Sequence, residues 1–252
     1  MDITEIIRLK LTEIEEKENV TILHAVESGS RAWGFASPDS DYDVRFIYVR
    51  PQDDYLVLEG VRDVIEWQLD DLLDINGWDL QKALKQFHKG NATLFEWSNS
   101  PIVYKTTETW KQIYKVAKNY FSIKAAAYHY YGTANSTYIQ YLQGESATYK
   151  KYFYALRPLL AGRYIQEKSC PPPVLFDHLM KMDMPADLYD GIIELLEIKK
   201  NSDEKETGTQ FPVIRNFIAD EIVRQKEFVE NFADDRNIDW VELNKIFLKV
   251  IR

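Results

Sequence analysis

A β-rich run, Val20-Thr21-Ile22-Leu23-His24-Ala25-Val26, passes directly into Glu27-Ser28-Gly29-Ser30, and Asp41-Tyr42-Asp43 follows with a second apolar run behind it. This order predicts two neighbouring strands joined by a compact turn, and the residues at the join restrict what the turn can do. Glycine followed by serine lets a backbone approach a phosphate closely, and a short helix starting there points its N–H groups at an anion. Asp41 and Asp43 are two apart, so on a strand both side chains leave the same face and can share a divalent cation. A phosphate holder beside a metal holder implies a nucleoside triphosphate as ligand. The plainer reading is a Gly-Ser turn with two solvated acids. Against it stand the apolar approach strand, Gly34 one turn after Ser30, Ser40 directly before Asp41, and the hydrophobic run after Asp43.

Ile3, Ile6, Ile7, Leu11 and Ile14 recur at helical spacing, which predicts an amphipathic first helix ending near Asn19. Val44 to Val49 is apolar on both faces and reads as a central strand. Two further strands are expected over Asp63–Leu69 and Leu72–Ile75, the second closing at Asn76-Gly77. Asp79 then caps a helix carrying Leu80, Ala83, Leu84 and Phe87. A short helix over Asn91–Asn99 and a strand at Ile102-Val103-Tyr104 complete the mixed portion. Beyond Thr107 the pattern is helical throughout, in segments near 107–130, 134–143, 147–168, 174–182, 186–199, 211–231 and 238–250, with the polar stretch Asn201–Thr209 expected to be a mobile loop. The expected architecture is α+β: an N-terminal domain over residues 1–105 on a small mixed sheet, then an all-helical domain over 106–252, with a cleft between them as the default ligand site.

No run approaches ~20 consecutive apolar residues, and the amphipathic, acidic N-terminus lacks the layout of a signal peptide. The single cysteine, Cys170, excludes an intrachain disulfide and any multi-cysteine zinc site. A cytoplasmic protein with no membrane partner is expected. The net charge of -9 excludes a uniformly basic nucleic-acid binder, but the charge is unevenly spread. Residues 1–105 carry 20 acidic against 11 basic side chains, whereas residues 106–163 carry two against eight. An acidic half suited to cations is thus followed by a locally basic segment suited to phosphates, or by a solvated basic helix face.

Gly-Ser, ten intervening residues and Asp-x-Asp on a strand form a pattern that resembles the DNA polymerase beta nucleotidyltransferase superfamily. The strings GSRAWGFASPDSDYDVRFIYV, DINGWDLQKALK, GNATLFEWSNSPIVY and KKYFYALRPLLAGR extend the resemblance over about residues 20–180, to the predicted nucleotidyltransferases associated with RNA ligase genes. The resemblance implies transfer of a nucleoside monophosphate from an NTP to a hydroxyl, with release of pyrophosphate. It implies two Mg²⁺ ions, replaceable by Mn²⁺, bridged by Asp41 and Asp43. A third carboxylate then holds the ion on the acceptor side. Asp74, at the end of a strand before the Asp79 helix, matches the position of the third acid in minimal nucleotidyltransferases, with Glu66 as the alternative; Asp70 and Asp71 read as turn acids. Gly29, Ser30 and Arg31 would grip the β and γ phosphates. Lys150, Lys151 and Arg157 fall on one predicted helix, and in related enzymes such a basic helix reaches the triphosphate. His129, in a tyrosine run, reads as structural, and Trp33 and the tyrosines of this half as core residues or base-stacking groups. RNA ends are the acceptors that the association with RNA ligases implies. A protein, a small molecule, or a binding module without catalysis are the alternatives; oligomeric state and nucleotide preference are not legible in the sequence.

Overall fold

The computed structural model describes residues 2–68, 72–144, 146–201 and 210–252. Asp70, Asp71 and the expected mobile stretch from residue 202 to 209 lie outside the described residues. The fold is α+β. In chain order it comprises α1 (Ile3–Glu18), β1 (Thr21–Glu27), α2 (Gly29–Trp33), β2 (Tyr42–Val49), β3 (Val64–Gln68), β4 (Leu73–Asp79), α3 (Leu80–His88), α4 (Ala92–Ser98), β5 (Val103–Thr106), α5 (Glu108–Ala117), α6 (Ile123–Thr137), α7 (Tyr149–Lys168), α8 (Phe176–Leu179), α9 (Ala186–Lys200), α10 (Pro212–Asn231) and α11 (Val241–Ile251).

One five-stranded sheet has the order β3-β4-β2-β1-β5, so the strand after the Asp pair is central. β2 runs antiparallel to β1 and parallel to β4, and the outer pairs are antiparallel. Both faces of the sheet are covered, which is why β1 is buried at every position after Thr21. On one face Ile7, Leu11 and Ile14 of α1 pack with Ile22, Ala25, Val44, Phe46 and Ile75. On the other, Leu23, Val26 and Ile47 meet Leu80, Leu84 and Phe87 of α3, Phe95 and Trp97 of α4, Trp110 and Ile113 of α5, and Leu243 and Ile246 of α11. α1 stops at Asn19, whose left-handed φ of 51° closes the helix just before β1.

Three local expectations change. Asn76-Gly77 does not close a strand: β4 runs through it to Asp79, paired with β2 on one side and β3 on the other, and glycine is needed at 77 because the ring of Phe46 lies 2.2 Å from an ideal Cβ there. The long helix expected over 107–130 breaks after Ala117 into a short 3₁₀ turn, and α6 restarts after Ser122, whose hydroxyl accepts from Ala125 N–H. Asp235 completes this cap from far along the chain, accepting from the backbone of Ile123 and Lys124 and from the Ser122 hydroxyl at 2.6 Å. The segments expected as 107–130 and 134–143 therefore divide differently, with a π-helical turn over Tyr138–Leu142 continuing α6.

The compact units also depart from a boundary at residue 105. One comprises 1–32, 41–121 and 236–252, and the other 33–40 and 122–235. The physical reason lies in the cores. α5 and α11 contribute Trp110, Ile113, Ala117, Leu243 and Ile246 to the sheet's own cluster, so the sheet unit takes both. Residues 33–40 are held by the helical unit. Phe35 stacks on Phe153 at 4.9 Å and meets Phe176 edge-on, and the buried ammonium of Lys199 donates to Ser37 Oγ at 2.8 Å. No helix among the described residues is long and apolar enough to cross a membrane.

Candidate active site

β1 delivers the chain to the turn, and the turn is built around Asp43. Gly29 adopts φ +61°, and an ideal Cβ there would lie 2.1 Å from Asp43 Oδ2. Glycine is therefore required twice, for its backbone conformation and for the space that the carboxylate occupies. Ser28 N–H donates to the Asp43 carbonyl at 2.8 Å, and Asp43 N–H donates to Glu27 Oε1 at 2.8 Å. Both backbone groups of Asp43 are thus tied to the turn. Ser30 is buried in the first turn of α2. Arg31 points back along the motif: its Nε donates to the Asp41 carbonyl at 3.0 Å, and its guanidinium lies 3.8 Å from the centre of the Tyr42 ring. That places Arg31 where it fixes the entry to β2.

The parallel register of β2 and β4 puts Asp43 directly opposite Asp74. Of the two acids considered for the third carboxylate, Asp74 is the one that the sheet brings beside Asp43. Glu66 lies on β3 opposite Asn76 and pairs at the surface with Arg62 at 3.1 Å. Asp79 caps α3, accepting from Gln81 N–H and from Tyr55 Oη at 2.7 Å each. Asp41 is exposed and immediately precedes β2. Among the described residues no three His, Cys, Asp or Glu side chains form one metal-ligating group, so Asp41 does not join Asp43 and Asp74 in a single cluster.

Two residues of the site escape the sequence reading. Arg45, two positions beyond Asp43 on the same face of β2, donates from Nη2 to Asp43 Oδ1 at 3.0 Å and to Asp74 Oδ2 at 2.7 Å. Its Nη1 donates to the carbonyls of Val44 and Asp74 at 3.1 and 3.2 Å. The signal was present as a third polar residue in the Asp41, Asp43, Arg45 alternation, on a strand that otherwise reads apolar. Glu27 is the second. It is 1% exposed, and burial raises its carboxyl above the usual carboxylate range, against the lowering effect of hydrogen bonds from the Tyr104 hydroxyl and Asp43 N–H. Burial and Glu27 together push the Tyr104 phenol upward. Nothing in the spacing marks Glu27, because its partner Tyr104 comes from β5.

The basic residues of the second half lie on α7, in the helical unit. The ammonium of Lys151 sits 3.7 Å from the centre of the Tyr141 ring, and that of Lys150 sits 5.6 Å from Tyr154. Arg157 is only 3% exposed, its guanidinium lying 4.4 Å from the centre of the Trp33 ring and donating to the Val174 carbonyl at 3.4 Å. Arg157, expected from the resemblance among the groups on the triphosphate, is thus buried against Trp33 within this unit. His129 is exposed on α6, with its ring 5.3 Å edge-on from Tyr130.

Residues 3–249 match the RNA repair pathway DNA polymerase beta family. The chain belongs to that family. It is 42% identical over 244 residues to the uncharacterized protein YcgL of Bacillus subtilis (strain 168), covering 96% of this chain and 94% of that protein. Among solved structures it is similar to a nucleotidyltransferase-like protein from Exiguobacterium sibiricum 255-15, with a TM-score of 0.33 and 11% identity over 89% of this chain and 74% of that one. That similarity is too low to bear on function. The family match covers the Gly29 turn, the Asp43–Asp74 pair and Arg45 alike.

Proposed function

We propose that this protein is a divalent-cation-dependent nucleotidyltransferase that moves a nucleoside monophosphate from an NTP to the hydroxyl of an RNA end. The observation that carries the reading is the cross-strand pair Asp43–Asp74 beside a turn in which Gly29 makes room for the Asp43 carboxylate. The donor set suits a hard cation: it consists of oxygen only, two acids stand in register, and Asp41 lies two residues upstream of Asp43. Asp43 and Asp74 would hold Mg²⁺ or Mn²⁺, and Asp41 would join them by turning in from its exposed position before β2; the ion when bound would acidify the attacking hydroxyl and offset charge on the leaving pyrophosphate.

The protein's own groups would then do the following. Ser30 and the N–H groups of the Gly29 turn bind the terminal phosphates, and Arg31 keeps the Asp41 backbone in place. Asp74 faces the acceptor and takes the proton of the attacking hydroxyl as its oxygen bonds to the α-phosphorus. The bond from that phosphorus to the bridging oxygen breaks, and pyrophosphate leaves. Membership in a family described by RNA repair favours RNA over a protein or small molecule as acceptor. Incubation with each α-labelled NTP, Mg²⁺ and a mixed pool of RNAs and proteins tests this. Label on RNA ends, with RNA affinity falling steeply as salt rises, supports the reading. Label on protein alone, or none on any acceptor, contradicts it.

A further inference from the structure

Arg45 is a charge set into the middle of the acidic pair, and its anchoring is asymmetric. Nη1 is tied to two backbone carbonyls, while Nη2 spans one oxygen of each acid at 3.0 and 2.7 Å. A Mg²⁺ ion shared by those oxygens would need to stand ~2.1 Å from each. One space cannot hold both that ion and the Nη2 group. The acids are partly exposed, with side-chain accessibilities of 32% for Asp43 and 46% for Asp74, whereas that of Arg45 is 18%. The Arg45 side chain is therefore the more enclosed partner, and its guanidinium is held by carbonyls of both strands. Arg45 also halves the negative charge that the pair offers to a cation.

Building on the cation-dependent reading above, we propose that Arg45 is a resident counter-ion of the Asp43–Asp74 pair. It competes with the divalent cation that these two acids would share. The ion then loads well only when the nucleotide's phosphates add negative charge and draw it in. Arg45 is thus a positioning residue that sets the order of loading: nucleotide with cation, not cation alone.

The test is Mn²⁺ binding to the full chain without nucleotide, followed by electron paramagnetic resonance, for the wild type, Asp74→Asn, Arg45→Gln, Arg45→Lys and Arg45→Gln with Asp74→Asn. Glutamine keeps a hydrogen-bonding head without the charge. Arg45→Gln is expected to bind Mn²⁺ on the order of tenfold more tightly than wild type, the effect of removing one nearby positive charge in a water-like setting. Arg45→Lys should stay near wild type. Adding Asp74→Asn should abolish the gain, which assigns the ion to this pair. In the presence of a non-hydrolysable NTP analogue the gap between wild type and Arg45→Gln should narrow. Thermal unfolding of each variant checks that it folds. Affinity in Arg45→Gln equal to or weaker than wild type overturns the competition and leaves the nucleotidyltransferase reading standing. Absence of any Mn²⁺ that Asp74→Asn removes, from either protein, overturns both.

Discussion

At the residue scale, the site depends on the Asp43 carboxylate fitting where Gly29 carries no side chain. Gly29→Ala would place a methyl 2.1 Å from Asp43 Oδ2 and force a left-handed φ on alanine. The carboxylate must turn away, so Mn²⁺ affinity and nucleotidyl transfer should fall together, with a stability loss of roughly 1–3 kcal/mol in chemical denaturation. His24 makes a different prediction, about acid. It is buried on β1, stacked on Trp110 at 4.9 Å, and burial lowers its imidazole from 6.5 to about 4, against the raising effect of the Trp97 carbonyl. The unfolded chain therefore takes up a proton between pH 6.5 and about 4 that the folded chain refuses. This contribution to stability is complete above pH 6.5 and is lost as pH falls through about 4. In His24→Gln the fall of Tm between pH 7 and pH 4.5 should be shallower than in wild type, whatever the variant's absolute Tm. An unchanged slope would mean that His24 does not set it. Burial raises Glu27 and Asp79, which favours their protonated forms and acts in the opposite sense as pH rises through their folded pKa values.

At the element scale, the parts written in local pattern were legible and the parts set by distant partners were not. α1, β1, β2 and the Asp79 cap follow from apolar spacing and a capping acid, all within a few residues of one another. Asn-Gly within β4 signals a turn when only neighbours are considered, whereas the strand is carried through it by pairing with β2 and β3, and Phe46 opposite Gly77 leaves room for glycine alone. The break before α6 likewise depends on a distant partner, since its cap is shared between Ser122 and Asp235. Asp235→Ala should remove the acceptor for two backbone N–H groups of α6 and cost about 1–2 kcal/mol. Native-state hydrogen exchange should show the loss concentrated in the first turn of α6. Uniform loss across the helical unit, or none, would argue against a capping role.

At the scale of the whole molecule, the family could be read from a few motif strings, but the division of the chain could not. A helix at the far C-terminus, α11, completes the core beneath the sheet with Leu243 and Ile246, and no local signal tells a helix which core it will join. Asp43 and Asp74 lie 31 positions apart in sequence and meet only because β2 and β4 pair in parallel register. The same register sets Arg45 between them, donating to both. The claim that this pair performs nucleotidyl transfer is tested most directly by single-turnover transfer from an α-labelled NTP to RNA in wild type, Asp43→Asn, Asp74→Asn and Glu66→Gln. Loss of roughly 10²-fold or more is expected in the first two variants, about 3 kcal/mol of transition-state stabilisation, and a rate within about twofold of wild type for Glu66→Gln. Transfer by Asp43→Asn and Asp74→Asn at the wild-type rate, or its collapse in Glu66→Gln alone, would contradict it.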